Sequence, residues 1–340
     1  MDAFNPKERL QRTLFKKGAD RPPVICPGGM MNSAVVEIMN QTGHTLPEAH
    51  HSEALMSRLA KDVQEKTGFE NFGVPFCMTV EAEVLGSEIN YGTLECEPKI
   101  QKEVFKSVLD VNFLPAGSME KNSRVGAVIK TIYTLSQNNP DVPAIGSLTG
   151  PMSTAASIVD PMTFLKQLRR ERDGAHRAID YVCGHLIEYA KLMADNGAAV
   201  ISIADPTATG EILGPKMFEE YAVRYLNKVT DAIHEMGIPV IIHICGKMEA
   251  VKLQVAMLHG DAVSVDAFVS LRQLKSEVPG ITTMGNVSTY MLEFGEPEKV
   301  YKRTKGLVAE KTDIISPACG LSTSTPLANI RALTRAVKEG

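Results

Sequence analysis

Two side chains that commonly bind metals, His243 and Cys245, lie two residues apart in the apolar segment Ile241–Gly246. Side chains at i and i+2 of a β-strand point to the same side, so this imidazole and thiol can converge on one point. A further isolated cysteine, Cys319, ends another apolar segment and precedes a glycine, as Cys245 does. One imidazole and two thiolates form a soft ligand set with a fourth position left open. The three residues therefore predict a catalytic zinc ion, and the alternative is a buried, inert imidazole and thiol.

Eight short apolar segments rich in β-branched residues could position these ligands. They are Pro23–Cys26, Val74–Met78, Pro143–Leu148, Ala199–Ala204, Pro239–Ile244, Ala262–Asp266, Thr282–Val287 and Asp313–Pro317. Each is apolar on both faces, as the strands of a parallel sheet are. Amphipathic stretches lie between them, among them Met162–Tyr189, Pro215–Met236 and Pro297–Lys311. The alternation predicts an α/β fold, a (β/α)8 barrel, with an open doubly wound sheet as the alternative.

Two stretches fall outside this alternation. Asn5 and Pro6 are typical of a helix start, and they predict an N-terminal helical extension that reaches Lys17. Residues 81–140 are too long for one crossover and contain glycine-rich turn signals, so we expect an insertion after the second strand, over the barrel mouth. The sequence contains no repeat, low-complexity segment or linker, and residues 1–340 are expected to form one domain.

Composition narrows the class of protein. The 340 residues are 44% hydrophobic and 22% charged, which is ordinary for a globular protein with a sizeable core. A net charge of -4, no long basic run and no tryptophan argue against a nucleic-acid partner. No apolar stretch is long enough to span a membrane and the N-terminus lacks a signal peptide, so a cytoplasmic location is expected. In that setting the six cysteines are expected to be thiols.

Polar residues also end several of the other predicted strands. Catalytic sites of (β/α)8 barrels lie at the carboxyl ends of the strands, where the βα loops begin. On this ground Asp205 and Glu81 are candidate catalytic residues, and the candidate substrate-binding residues are Asn286, Ser147 and Asp266. The alternative for each is structural, because an acidic residue at a strand end frequently caps the following helix.

The chain also resembles a known family over nearly its whole length. The resemblance is carried by Pro6–Leu10, Asp20–Val24, Val74–Glu81, Gly146–Pro151, Ile203–Pro206, Gly285–Ser288 and Thr325–Ile330, and most specifically by His243–Gly246 with Cys319–Gly320. On these motifs it resembles the uroporphyrinogen decarboxylase superfamily, and within it the cobamide-dependent methyltransferases that act on coenzyme M. The resemblance implies a (β/α)8 barrel and zinc ligation by His243, Cys245 and Cys319. It also implies a methylcobamide donor brought by a corrinoid protein, and a small thiol acceptor.

One departure from the superfamily concerns its decarboxylases. These enzymes carry an arginine-containing segment near the N-terminus that holds the carboxylates of the porphyrin, whereas Pro27–Ser33 of this chain contains no arginine. A polyanionic tetrapyrrole would lack cationic partners there. Decarboxylation of uroporphyrinogen is therefore the third choice.

The ligand set favours a thiol over water as the nucleophile. Two thiolates donate more charge to zinc than the imidazole and carboxylate ligands of zinc hydrolases, and so weaken its acidity toward water. The expected reaction is attack of a substrate thiolate on the methyl group of a methyl–Co(III) corrinoid, which yields a thioether and Co(I). Alternatives are a corrinoid methyltransferase that uses tetrahydrofolate as acceptor, one that takes the methyl group from a growth substrate, and a corrinoid-binding module without activity.

Overall fold

The computed structural model describes residues 3–339 and is built around a seven-stranded sheet. The strands are β1 (Phe72–Val74), β2 (Glu88–Asn90), β3 (Lys99–Lys102), β4 (Ala144–Thr149), β5 (Val200–Ala204), β6 (Val240–Ile244), β7 (Ala262–Val265), β8 (Thr283–Val287) and β9 (Ile314–Pro317). The sheet has the order β1-β4-β5-β6-β7-β8-β9, and all its pairs are parallel. Every residue of β4 to β9 is buried, as expected for strands that are apolar on both faces.

The segment predicted as the first strand, Pro23–Cys26, joins the two edges of this sheet. The Ile25 N–H donates to the Ile315 carbonyl (3.0 Å) and the Ile315 N–H donates to the Pro23 carbonyl (2.9 Å). On the other side, the Glu70 N–H donates to the Val24 carbonyl at 2.8 Å. The segment forms a single parallel bridge, Val24 to Ile315, rather than a ladder, because Pro23 has no N–H to donate. This segment takes the eighth strand position beside the seven strands of the sheet, and the predicted (β/α)8 barrel is confirmed.

Helices cover the outside of the barrel. The α-helices are α1 (Pro6–Leu14), α2 (Val36–Thr42), α3 (Glu53–Thr67), α4 (Val80–Val84), α5 (Ser123–Asn138), α6 (Pro151–Ile158), α7 (Pro161–Arg170), α8 (Arg172–Asp195), α9 (Gly210–Met217), α10 (Arg224–Glu235), α11 (Lys252–Val255), α12 (Leu271–Glu277), α13 (Thr289–Phe294), α14 (Pro297–Ala309) and α15 (Leu327–Lys338). Short 3-10 helices span Glu48–His50 and Glu249–Val251, and a π-helix spans Phe218–Val223. No helix in residues 3–339 combines the length and the apolar character that crossing a membrane requires.

Three predicted boundaries are wrong, and the first is that of the N-terminal helix, which ends at Leu14 and not at Lys17. The second strand forms at Phe72–Val74 and not at Val74–Met78, because Pro75 has no N–H and its carbonyl turns away to accept from Gly29 (2.7 Å). The apolar run continues past the strand and so conceals its end. The stretch Met162–Tyr189 is likewise two helices, α7 and α8, separated at Glu171, which has φ -123° and ψ 52°.

Residues 81–140 contain α4, the antiparallel hairpin of β2 and β3, an irregular stretch and α5. Of these, α5 lies against β1 and β4 as their crossover helix. The turn between β2 and β3 is tied to the loop after β9, since the Thr323 hydroxyl donates to the Glu95 carbonyl at 2.6 Å. A covering role for this insertion over the barrel mouth stays a proposal.

Candidate metal centre

Three predicted ligands meet at the carboxyl ends of β6 and β9. His243 is the fourth residue of β6, Cys245 directly follows that strand, and Cys319 lies two residues beyond the end of β9. The His243 Nε2 is 3.1 Å from the Cys245 Sγ, which is 3.6 Å from the Cys319 Sγ. All three ligand atoms lie within 4.8 Å of one another, and no other group of this kind occurs in residues 3–339. The strand geometry thus brings together residues that are 74 positions apart in sequence.

Glycines after each cysteine allow the chain to turn at this point. Gly246 adopts a positive φ of 73°, which residues with a side chain rarely adopt. At Gly320, a Cβ atom would lie 2.4 Å from the Met30 carbonyl oxygen, so only glycine lets the two segments approach. Met30 therefore lies against the site, and its Sδ is 3.8 Å from the Cys245 Sγ.

The spacing of the trio fits a zinc ion. Zinc–sulfur bonds of about 2.3 Å and zinc–nitrogen bonds of about 2.0–2.1 Å place two tetrahedral sulfur ligands about 3.8 Å apart, and a sulfur and a nitrogen about 3.5 Å apart. The observed separations of 3.6 Å and 3.1 Å need only small side-chain movements to match. One histidine and two cysteines supply three protein ligands, which leaves the fourth tetrahedral position for a substrate atom.

The two thiols hold their protons very differently. A hydrogen bond from Cys245 and the nearby His243 lower the pKa of Cys319 to about 5. The same hydrogen bond, together with burial, raises the pKa of Cys245 well above its usual range. A divalent cation bound here would take both sulfurs as thiolates and release the protons that they hold.

Residues that the sequence analysis missed surround the trio. The His243 Nδ1 is 2.9 Å from the hydroxyl of Ser264, its parallel register partner on β7. The Ser264 hydroxyl in turn is 3.9 Å from the Met31 Sδ. A serine within the otherwise apolar strand Ala262–Val265, two residues before Asp266 and hence on the same face, is the sequence signal that could have revealed the contact.

Asp266 lies next to Cys245 of the trio, and Asn286 contacts Asp266. The Asp266 carboxylate accepts from the Gly246 N–H at 3.4 Å, next to Cys245. The Asn286 amide group donates to the carbonyls of Asp266 (2.9 Å) and Val269 (2.7 Å), and thus holds the loop that carries Asp266. The Asn286 Oδ1 is buried and has no hydrogen-bond partner in the described chain. The structure therefore leaves one amide oxygen free at this edge of the mouth.

Asp205 is a buried acceptor at the start of α6. It accepts from the Met152 N–H (3.0 Å), the Ser153 N–H (2.8 Å) and the Ser153 hydroxyl (2.6 Å). These contacts cap the start of α6. In residues 3–339 the Asp205 side chain makes no hydrogen bond to the trio, and only its backbone N–H donates to the His243 carbonyl, at 3.3 Å. Burial raises its pKa to about 6, against the lowering effect of these hydrogen bonds.

Glu81 and Ser147 are also engaged away from the trio. The Glu81 carboxylate accepts from the Thr149 N–H (2.7 Å) and the Thr149 hydroxyl (3.0 Å), and burial raises its pKa to about 7. The Ser147 hydroxyl donates to the Pro27 carbonyl at 2.9 Å. Their contacts hold the chain at the ends of β1 and β4, and their roles in catalysis or binding stay predictions.

Comparison with protein families matches residues 5–340 to the uroporphyrinogen decarboxylase (URO-D) model. The chain belongs to the uroporphyrinogen decarboxylase family. Methylcobamide:CoM methyltransferase MtbA of Methanosarcina acetivorans is 33% identical to it over 340 residues, which cover 99% of each protein. MtaA of Methanosarcina barkeri, a methyltransferase with the same name, is 31% identical over 343 residues, which cover 100% of this chain and 99% of MtaA. The barrel of this family member superimposes on a solved methyltransferase from Methanosarcina mazei with a TM-score of 0.92, at 30% identity and 99% coverage of both chains.

Proposed function

We propose that this chain transfers a methyl group from a methylated corrinoid to a small thiol, with coenzyme M as the acceptor, at a zinc ion held by His243, Cys245 and Cys319. The observation that carries the proposal is the convergence of these three ligand atoms within 4.8 Å at the barrel mouth. It is supported by full-length similarity to proteins named methylcobamide:CoM methyltransferases.

The residues of the chain account for the choice of a thiol nucleophile. When bound, zinc would lower the pKa of a coordinated thiol while leaving its sulfur nucleophilic. Cys245 and Cys319 supply two negative charges, so the ligand set itself would neutralise the ion and disfavour activation of water. In this proposal Asp266, whose carboxylate accepts from the Gly246 N–H next to Cys245, receives the proton of the incoming thiol.

The Pro27–Ser33 segment has side chains that do not fit decarboxylation of uroporphyrinogen. It lies directly against the site, since Met30 is in contact with Cys245 and Met31 with Ser264. Its side chains offer thioethers at the place where a polyanionic tetrapyrrole would need cations. The methyl donor, a corrinoid delivered by a partner protein, must instead reach the open mouth above the trio.

The test is an anaerobic assay of the zinc-loaded protein with free methylcobalamin and 2-mercaptoethanesulfonate, followed by the corrinoid spectrum. We expect thiol-dependent demethylation that is lost in Cys319→Ala. A parallel assay with 2-mercaptoethanol, which lacks the sulfonate, measures how much the anionic group contributes. If the zinc-loaded, folded protein turns over neither thiol, the proposal is wrong, and tetrahydrofolate or a methylated growth substrate would become the reaction partner to test.

A further inference from the structure

We infer that Ser264 and Met31 are positioning residues that fix the tautomer and the orientation of His243, so that its Nε2 lone pair faces the metal. This inference rests on the proposed function through its zinc site. Ser264 and Met31 lie outside the ligand set. Ser264 contacts His243, and Met31 contacts Ser264.

The proton of neutral His243 can reside on either ring nitrogen. A neutral imidazole has one N–H donor and one acceptor nitrogen. The Nε2 faces the Cys245 Sγ at 3.1 Å, so it is the nitrogen on the side of the trio and must offer its lone pair to a metal. The proton then resides on Nδ1, where the Ser264 Oγ at 2.9 Å is its hydrogen-bond partner in the described chain.

The Ser264 hydroxyl lies between the His243 Nδ1 and the Met31 Sδ. A hydroxyl can donate to Nδ1 or accept from it, and only acceptance is compatible with a metal on Nε2. The Met31 thioether can only accept, and its Sδ is 3.9 Å from the Ser264 Oγ. When the hydroxyl points to Met31, its lone pairs are left for the Nδ1 proton. The chain from Met31 through Ser264 to His243 therefore has one consistent direction.

His243, Ser264 and Met31 are all buried. His243 and Ser264 are both 0% exposed and Met31 is 1% exposed, so water does not replace any of these partners. The register between β6 and β7 pairs His243 with Ser264 directly, which fixes their distance through the backbone. Met31 lies in the loop after the segment Pro23–Cys26, 233 residues before Ser264 in sequence. Partners of this kind, behind a metal-binding histidine, typically change metal affinity by about 10–100-fold when they are removed.

The experiment measures zinc affinity by competition with a chromophoric chelator, in wild type, Ser264→Ala and Met31→Leu. Ser202→Ala is the matched control, because Ser202 is a buried serine on neighbouring β5 whose register partner on β6 is Ile241 and not His243. We expect about a 10–100-fold weaker zinc affinity for Ser264→Ala, a smaller loss for Met31→Leu, and no change for Ser202→Ala. The melting temperature of the metal-free proteins reports folding separately.

The outcomes separate this inference from the proposed function. Unchanged zinc affinity in Ser264→Ala, or an equal loss in Ser202→Ala, would overturn the role of Ser264, and unchanged affinity in Met31→Leu would overturn that of Met31. If Ser264→Ala fails to fold, Met31→Leu carries the test alone. If the wild type binds zinc but transfers no methyl group, and Ser264→Ala and Met31→Leu still bind zinc more weakly than Ser202→Ala, the positioning role is supported and the proposed reaction is rejected. A wild type that binds no zinc would overturn both.

Discussion

Asp205 makes the stability of this protein depend on pH in a direction that a single variant can reveal. The carboxyl is fully buried, and burial raises its pKa from 3.8 to about 6. As pH rises between these values, the unfolded chain releases this proton while the folded protein keeps it, so the folded state loses stability. Since one pKa unit corresponds to about 1.4 kcal/mol, the loss from this one group reaches about 3 kcal/mol once the carboxyl is ionised in both states.

In Asp205→Asn this loss is absent. The amide oxygen can still accept from Ser153, but the amide N–H group then faces the Met152 N–H, which costs about 1–3 kcal/mol at every pH. The unfolding free energy of the variant minus that of wild type should therefore become more positive by about 2 kcal/mol between pH 4.5 and pH 8. Urea denaturation of the metal-free proteins at the two pH values, with circular dichroism as the probe, measures this difference.

Asp160→Asn provides the matched control for this measurement. Asp160 also accepts from a helix N-terminus, the Thr163 N–H at 2.8 Å, but it is exposed and its pKa is lowered by hydrogen bonds with Thr163. Its removal should leave the same difference nearly constant, because a lowered pKa changes stability only at pH values near and below the usual value of 3.8, and both measurements lie above that value. An Asp205→Asn difference that stays constant or falls with pH would refute the argument that burial governs this carboxyl.

Three further predictions concern the site and its surroundings. Cys319→Ala should reduce bound zinc from one ion per chain to a trace while circular dichroism stays unchanged, and full metal content would contradict the ligand assignment. Gly150→Ala should cost about 1–3 kcal/mol in urea denaturation, because the added Cβ would lie 2.4 Å from the Cβ of Asp205; an unchanged midpoint would show that the helix start can shift freely. Arg124→Met should cost about 3 kcal/mol, since it leaves Glu83 without the 2.6 Å ion pair to a guanidinium that is 1% exposed; a thermal melt equal to that of wild type would contradict this.

The barrel was predictable from sequence wherever a strand is buried on both faces. The segment Pro239–Ile244 is apolar except for His243, and the observed strand Val240–Ile244 differs from the predicted one by a single residue. The failure at Val74–Met78 has the opposite cause. There the apolar character continues beyond the strand, and the end is decided by a missing N–H at Pro75 rather than by hydrophobicity.

The site was predictable only in part for a related reason. His243 and Cys245 could be placed on one side of a strand by their spacing alone, and Cys319 by its glycine neighbour. Ser264 and Met31 could not be found in this way. The contact of Ser264 with His243 depends on the register between β6 and β7, and that of Met31 depends on the path of the loop after Pro23–Cys26. Asp205 and Glu81 are candidates for chemistry from their places at strand ends, and their carboxylates accept from backbone and hydroxyl donors of neighbouring elements, which the sequence does not reveal. Their catalytic roles stay predictions.

The distance in sequence between Cys245 and Cys319 has a consequence for the newly made chain. At about 5–20 residues per second, the ribosome adds the 74 residues between them in roughly 4–15 s. During that interval His243 and Cys245 exist in the chain without Cys319, so the three-residue ligand set is incomplete. The complete ligand set can therefore form only after β9, one of the last elements of the barrel, has been made, so zinc binding follows the synthesis of nearly the whole chain.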